Sequence, residues 1–244
     1  MKERRGLILS AIIKTFIDSA TPVGSKMLGE RFDLDVSSAT IRNEMSALET
    51  EGYLASPHTS AGRIPTEKGF RFFVANVAQS STALRPKVEA EFMQNLQQHL
   101  QQKRLDQDVS DILTVLNNMT RNVVFASVPS QERMFFLGLG SVLEQPEFAQ
   151  NALMASGVFR ILEEGFYDVL QELHIPHGAP QIYIGSDNLM EEIQSCSIVA
   201  GRYQIGGVDG FVGILGPMRM DYGKNLALIE LAQQYLESKN ISPL

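Results

Sequence analysis

Residues 36–54, VSSATIRNEMSALETEGYL, decide the fold of the N-terminal part of the chain. Ile41, Met45 and Leu48 lie at i, i+4 and i+7, which places their side chains in one apolar stripe along a helix. The positions opposite that stripe carry small or polar side chains. The segment therefore predicts a helix with one buried face and one exposed face that is rich in hydrogen-bonding groups.

Local signals mark both ends of this helix and a pair of helices before it. Ser37 or Ser38 is suited to the N-cap position, and Gly52 to the position that ends the helix. Upstream, apolar residues recur at helical spacing over 3–19. After a turn that contains Pro and Gly, Ser25 is suited to cap a short second helix. The pattern predicts a helix-turn-helix, although many three-helix units that do not bind DNA bury the same stripe.

A turn-rich segment after the third helix favours the DNA-binding interpretation. Residues 57–65, PHTSAGRIP, can form a β-ribbon, the wing of a winged helix, and residues 58–71 carry a local charge of +2. The helix face is expected to contact base edges and phosphates, the wing with Arg63 near its tip to reach a groove, and Lys68 to strengthen phosphate binding. The candidate DNA contacts are Ser38, Thr40, Arg42, Asn43, Ser46, His58, Thr59, Ser60, Arg63 and Lys68.

An aromatic cluster follows the ribbon on a further helix, which Thr66 is expected to cap. Phe70, Phe72 and Phe73 have the residue type that stacks on bases in single-strand binders. However, they lie beside the apolar stripe of their own helix. We therefore favour core packing, or docking on the next domain, over base stacking.

Charge is distributed unevenly along the chain. The 244 residues hold 21 Lys+Arg and 28 Asp+Glu, a net charge of −7 that argues against a uniformly basic nucleic-acid coat. Residues 1–75 have ten basic and nine acidic side chains, whereas residues 76–244 have eleven and nineteen, so the acidity belongs to the C-terminal part. The longest uncharged apolar stretch, 134–143, is far shorter than the ~20 residues of a membrane span, so we expect a cytoplasmic protein.

A Gln-rich stretch separates the two parts, and Ser80, Ser81 and Pro86 are expected to break the helical pattern. We predict a winged-helix domain over 1–78, a helical connector over 79–120 and a regulatory or dimerisation domain over 121–244. Two apolar stripes in the connector are suited either to pairing with a second copy or to packing on their own domain.

The C-terminal part alternates short β-rich runs with two helical segments, which predicts an α+β domain. The runs at 197–205 and 211–215 form a predicted hairpin with a glycine-rich loop over 206–210. One long helical segment is expected over 152–173. The predicted fold class of the whole chain is α+β.

Enzymatic and metal sites have weak support. Gly138-Leu139-Gly140 lacks the third glycine of a dinucleotide fingerprint, so tight packing explains it better. His174 and His177 flank Ile-Pro at a spacing more typical of surface than of a metal site. Cys196, the single cysteine, is expected to be a buried, inert thiol. Arg219 and Asp221 either form a structural ion pair or belong to a ligand surface. We predict no cofactor, no metal and no catalytic activity.

Several segments resemble one family. PVGSKML, the segment LDVSSATIRNEMSALETEGYL and the segment SPHTSAGRIPTEKGFRFFV look like the DNA-binding domain of the heat-inducible transcription repressor HrcA. LEQPEF, IYIGSDN, CSIVAGRY and GFVGILGPMRMDY extend the resemblance toward the C-terminus. The sequence departs from the family pattern at Met27, Asp187 and Met218. The resemblance further implies a short form, without the dimerising domain that most members have inserted after about residue 134.

The resemblance implies a winged helix-turn-helix domain followed by a GAF-like domain. It also implies a homodimer that binds the inverted-repeat CIRCE operator of double-stranded DNA and represses chaperone genes, with activity supported by a GroEL-type chaperonin. The alternative is a GAF-like regulator whose second domain binds a small effector.

Overall fold

The computed structural model of the chain describes residues 3–32, 34, 36–58, 62–98, 105–129 and 133–239. The chain divides into two compact units, Met1–Ala78 and Gln79–Leu244. Helices and an antiparallel sheet both occur, so the predicted α+β class is confirmed. Among the described residues, no helix is long and apolar enough to cross a membrane.

The first unit contains four helices and a two-stranded sheet in its described part. Helix α1 contributes Leu9, Ile12 and Ile13 to the core, and the predicted stripe of the third helix is buried against the same core. Helix α1 contacts the other three helices and the second strand. The elements are α1 Glu3–Ser19, α2 Ser25–Arg31, α3 Ser38–Thr50, β1 Leu54–Ala55, β2 Ile64–Pro65 and α4 Glu67–Val74.

Caps set the ends of these helices. The side chain of Ser37 accepts a hydrogen bond from the Thr40 amide at 3.2 Å, so Ser37 is the N-cap of α3. Gly52 follows α3 with φ of 78°, a left-handed conformation that glycine adopts at little cost. Thr66 caps α4 as predicted. The prediction for Ser25 is wrong, because Gly24 occupies the N-cap position and Ser25 is the first helical residue.

The second unit is built on a five-stranded antiparallel sheet of order β4-β3-β7-β6-β5. Helices α6 and α11 pack on the sheet, and α6 also contacts α11. The elements are α5 Val77–Gln97, α6 Leu105–Thr120, β3 Val123–Val128, β4 Arg133–Leu137, α7 Leu139–Leu143, α8 Pro146–Ala149, α9 Ala152–Glu164, α10 Phe166–Glu172, β5 Gln181–Ile184, β6 Cys196–Ile205, β7 Val208–Pro217 and α11 Tyr222–Glu237.

The main core of this unit lies between one face of the sheet and helices α8 to α10. Phe125 and Phe166 meet edge to face there, with ring centroids 4.8 Å apart. Val123 points to this core as well, whereas Val124 lies on the opposite face because successive strand residues alternate. The second face is covered by α6 and α11, so β3 is buried along its whole length.

Helix α6 and all of α5 after Ala78 belong to the second unit, which supports packing on their own domain over pairing with a second copy. Arg85 of α5 binds Glu230 of α11 at 3.0 Å, and Tyr235 of α11 donates to Asp108 of α6 at 3.1 Å. The expected break at Pro86 is wrong, since α5 runs through it.

Two further boundaries differ from the sequence prediction. The β6–β7 hairpin closes through only Gly206 and Gly207, which have φ of 60° and 82°, rather than through a five-residue loop. Positive φ at both central positions is the geometry of a tight hairpin turn. The helical segment 152–173 is divided in two at Gly165.

Candidate nucleic-acid interface

The outward face of α3 is exposed and carries a positive charge, Arg42, that no described residue compensates. The side chains of Arg42 and Asn43 are exposed and have no hydrogen-bond or ion-pair partner among the described residues. Ser38 and Ser46 are exposed on the same helix, and Thr40 is half-buried. The helix thus presents a guanidinium and an amide whose donors are available to another molecule.

The hydroxyls of this face are partly occupied by the helix itself. Ser46 donates to the carbonyl of Arg42 at 3.1 Å, and Thr50 donates to the carbonyl of Ser46 at 3.0 Å. The Thr40 hydroxyl lies 3.0 Å from that of Ser37. These side chains have less donor capacity to offer than Arg42 and Asn43.

Both acidic residues within α3 are paired with arginines from other elements. Arg5 of α1 donates to Glu44 at 2.8 Å and Arg4 donates to its second oxygen at 3.1 Å. The hydrogen bond from Arg5 lowers the pKa of the Glu44 carboxyl, so the carboxyl stays ionised. The two arginines balance its negative charge. Glu49 is paired with Arg63 at 2.8 Å. Arg42 is therefore the charge of α3 that remains unpaired among the residues described.

The two-stranded ribbon joins Leu54 to Pro65 and Ala55 to Ile64 in antiparallel register. His58 is exposed, and its carbonyl accepts a hydrogen bond from the Ser56 hydroxyl at 2.9 Å. The candidate contacts Thr59 and Ser60 lie outside the described residues.

Arg63 is the residue just before β2, on the loop side of the ribbon, and its side chain is directed to α3. Its Nε and Nη2 atoms each lie 2.8 Å from Oε2 of Glu49, and Nη1 donates to Ser56 at 3.2 Å. Its backbone exchanges two hydrogen bonds of 2.8 Å with Val23. No signal in the sequence pairs residues 49 and 63, because their contact depends on how the ribbon folds back.

Lys68 binds the end of α3. Its Nζ atom donates to the carbonyl of Glu51 at 2.8 Å and lies 4.4 Å from the ring centroid of Tyr53. A cation is favourable at the C-terminal end of a helix, where carbonyl groups are left without partners. Lys68 therefore has a structural role, although its side chain is exposed.

The aromatic cluster packs within the first unit. Phe70 is buried, with its ring 6.4 Å from that of Phe16, and Phe72 meets Tyr53 edge to face at 6.0 Å. These contacts support the packing interpretation over base stacking.

In the second unit, most of the residues that were candidates for a ligand or metal site have structural roles. A Cβ atom on Gly138 would lie 2.4 Å from the carbonyl oxygen of Asn122, which supports tight packing at this position. In the described ranges no cluster of His, Cys, Asp and Glu is suited to a metal ion. Arg219 and Asp221 do not pair with each other: Arg219 binds Glu147 at 2.5 Å, and Asp221 caps α11.

The space between the sheet and α9 and α10, where an effector would be enclosed, is filled by side chains such as Phe125, Phe166 and Phe211. An open groove of about 590 Å³ instead lies beside α9, over Phe148 and Phe159.

Cys196 is buried in β6, as predicted, and burial raises the pKa of its thiol to about 12. At pH 8 the native thiol is almost fully protonated, with roughly a thousandfold less thiolate than a free cysteine. We expect iodoacetamide to leave the folded protein unmodified and to label it fully in denaturant, as measured by intact mass. Stoichiometric labelling of the folded protein at pH 8 would contradict this environment.

The chain is similar to members of one known protein family. Residues 70–226 match the family model described as HrcA protein C terminal domain. The heat-inducible transcription repressor HrcA of Desulfitobacterium hafniense is 27% identical over 329 aligned positions, which cover 94% of this chain and 95% of that protein. The protein of the same name from Brevibacillus brevis is 28% identical over 333 positions, with the same coverage.

These alignments are longer than the 244 residues of this chain, so each relative contains residues without a counterpart here. Such extra length fits the short form predicted from the sequence. A crystal structure at 2.2 Å resolution of a protein described as hypothetical matches 98% of this chain and 98% of its own, with a TM-score of 0.81 and 18% identity. That likeness concerns the fold alone.

Proposed function

Because the chain belongs to the HrcA family, we propose that it is a transcriptional repressor of heat-shock chaperone genes and not an enzyme. The names of the relatives support a repressor of transcription. The observation that carries the proposal is the exposed face of α3. It combines Arg42, which has no partner among the residues that the structure describes, with acidic neighbours whose charges are neutralised. Such a face favours approach to a phosphate backbone.

The first unit is proposed to act as a winged helix-turn-helix domain. Helix α3 enters the major groove, and the ribbon, with His58, Thr59 and Ser60, lies over the neighbouring minor groove. Arg42 suits a bidentate contact to guanine and Asn43 to adenine. Ser38, Thr40 and Ser46 contribute contacts to phosphates or bases, whereas Lys68 adds general attraction.

The second unit is proposed to be a GAF-like domain that supports homodimerisation. An inverted-repeat operator such as CIRCE requires two copies of α3 at a fixed spacing, which a two-fold symmetric dimer provides. Occupancy of such an operator in the cytoplasm would block transcription without any catalytic step. The family resemblance further implies that a GroEL-type chaperonin maintains the active form.

The proposal is tested by mobility shifts on an inverted-repeat operator and on a scrambled duplex, with salt varied and mass measured by light scattering. We expect a dimeric protein that binds the operator about 10³-fold or more tighter than the scrambled duplex, in the range of specific DNA-binding proteins. Binding should weaken steeply with salt. A monomer with equal affinity for both duplexes would refute the central claim.

A further inference from the structure

The ion pair between Glu49 and Arg63 joins two parts of the first unit that are both proposed to face DNA. Glu49 lies on α3, and Arg63 is the residue just before β2. Two guanidinium nitrogens converge on one carboxylate oxygen at 2.8 Å. Their side chains are 23% and 32% exposed, so the pair is partly shielded from water and less screened than an open surface pair.

The same guanidinium also contacts Ser56, the residue that follows β1 on the other side of the ribbon. Its third nitrogen donates to the Ser56 hydroxyl at 3.2 Å, and that hydroxyl donates to the carbonyl of His58 at 2.9 Å. One arginine thus contacts both α3 and the outgoing side of the ribbon. All three nitrogens of its fork are used in these contacts.

The backbone around Arg63 is held as closely as its side chain. A Cβ atom on Gly62 would lie 2.5 Å from the carbonyl carbon and oxygen of Val23, a distance that only glycine permits. The two hydrogen bonds between Arg63 and Val23 depend on this approach. The returning side of the ribbon is therefore seated on the segment before α2, and Glu49 adds the link to α3.

We propose that Glu49 is a positioning residue, which holds Arg63 and thereby fixes the place of the ribbon relative to the exposed face of α3. The inference rests on the proposed DNA-binding function. In this role Arg63 acts through Glu49 and Ser56 rather than by contact with a phosphate. In this role the acidic Glu49 orders the ribbon although it lies close to the DNA-facing surface.

Direct electrostatics and positioning predict opposite signs for the same variant. Removing Glu49 takes a negative charge away from the DNA-facing surface and releases Arg63, which by charge alone would tighten DNA binding. Under the positioning role, Glu49→Ala weakens operator binding, because the ribbon loses its fixed orientation.

The test is a double-mutant cycle of Glu49→Ala, Arg63→Ala and the double variant in the full-length chain, measured by mobility shift on the inverted-repeat duplex. We expect each single change to weaken binding about tenfold, and the double change to weaken it no more than either single one. The slope of log K against log salt should stay unchanged. Glu49→Gln should give a smaller loss, and Glu30→Ala, which removes an exposed acid of α2 near Lys26, none.

A different result would overturn the positioning role. If Arg63 contacts a phosphate directly, Arg63→Ala alone weakens binding and lowers the salt slope by about one. Glu49→Ala then binds as well as the wild type or tighter.

A measurement without DNA separates this inference from the proposed function. We expect hydrogen exchange at the amides of Arg63 and Val23 to be faster in Glu49→Ala and Arg63→Ala, but not in Glu30→Ala, since the pair helps to hold that bridge. Unchanged exchange in all variants would refute the inference. If the wild type binds no operator, the proposed function fails, and the exchange rates still decide whether Glu49 positions the ribbon.

Discussion

Arg42→Ala is expected to weaken binding to the inverted-repeat operator by about 1 to 3 kcal/mol per half-site and to reduce the preference for operator over scrambled DNA. Arg42 is exposed on α3 without a partner among the described residues, whereas Glu44 and Glu49 of the same helix are both neutralised. Removing it deletes the free guanidinium of the face that enters the major groove in our proposal. Mobility shifts at several salt concentrations measure both quantities.

Arg160→Ala provides a charge-matched control. Arg160 is an exposed arginine in the second unit, so its loss changes the net charge by the same amount away from α3. We expect the control to keep the preference for the operator. Equal losses in the two variants would mean that α3 does not read the DNA sequence.

Phe125→Ala is expected to lower the free energy of unfolding by about 3 to 5 kcal/mol, as measured by urea denaturation followed by circular dichroism. The ring is buried at the centre of the sheet core, edge to face with Phe166 at 4.8 Å. It also covers Gly213 on the neighbouring strand, where a Cβ atom would lie 2.2 Å from the ring. Truncation leaves a cavity between sheet and helices that a rigid strand cannot close.

Phe135→Ala is the matched control for this substitution. Phe135 lies on the adjacent edge strand β4, opposite Ala126, and is only partly buried. Its truncation should cost clearly less than that of Phe125. A loss below about 1 kcal/mol for Phe125→Ala would show that the core can collapse around the gap.

The elements that the sequence predicts correctly are marked by residues that lie close together in the chain. The 3.6-residue spacing of apolar side chains predicts the bounds of α1 at Glu3–Ser19, and short polar N-caps predict where α3 and α4 begin. Each of these features depends on residues within about one turn or one strand of each other, which a sequence displays directly.

The expectations that were wrong arose where a local sequence signal competes with tertiary packing. Pro86 and the serines before it suggested a break, yet α5 continues, with Arg85 beside the proline bound to Glu230. Tertiary packing can outweigh a local helix breaker when the helix gains contacts along its length. In the same way, the β6–β7 hairpin turns through two glycines rather than five residues, because the strands remain paired up to Ile205 and Val208.

The sequence by itself determined the α+β class, the family, the apolar stripe of α3 and the set of residues on its exposed face. Only the tertiary structure decided which of the candidate DNA contacts, on α3 and beyond it, already bind a neighbouring residue. Arg63 is bound by Glu49, fourteen positions away, and Lys68 by the carbonyl of Glu51, seventeen positions away. Helical periodicity assigns a face to each residue, but ion pairs form between residues that are distant in sequence. Only the folded chain therefore shows that Arg42 has no partner among the described residues.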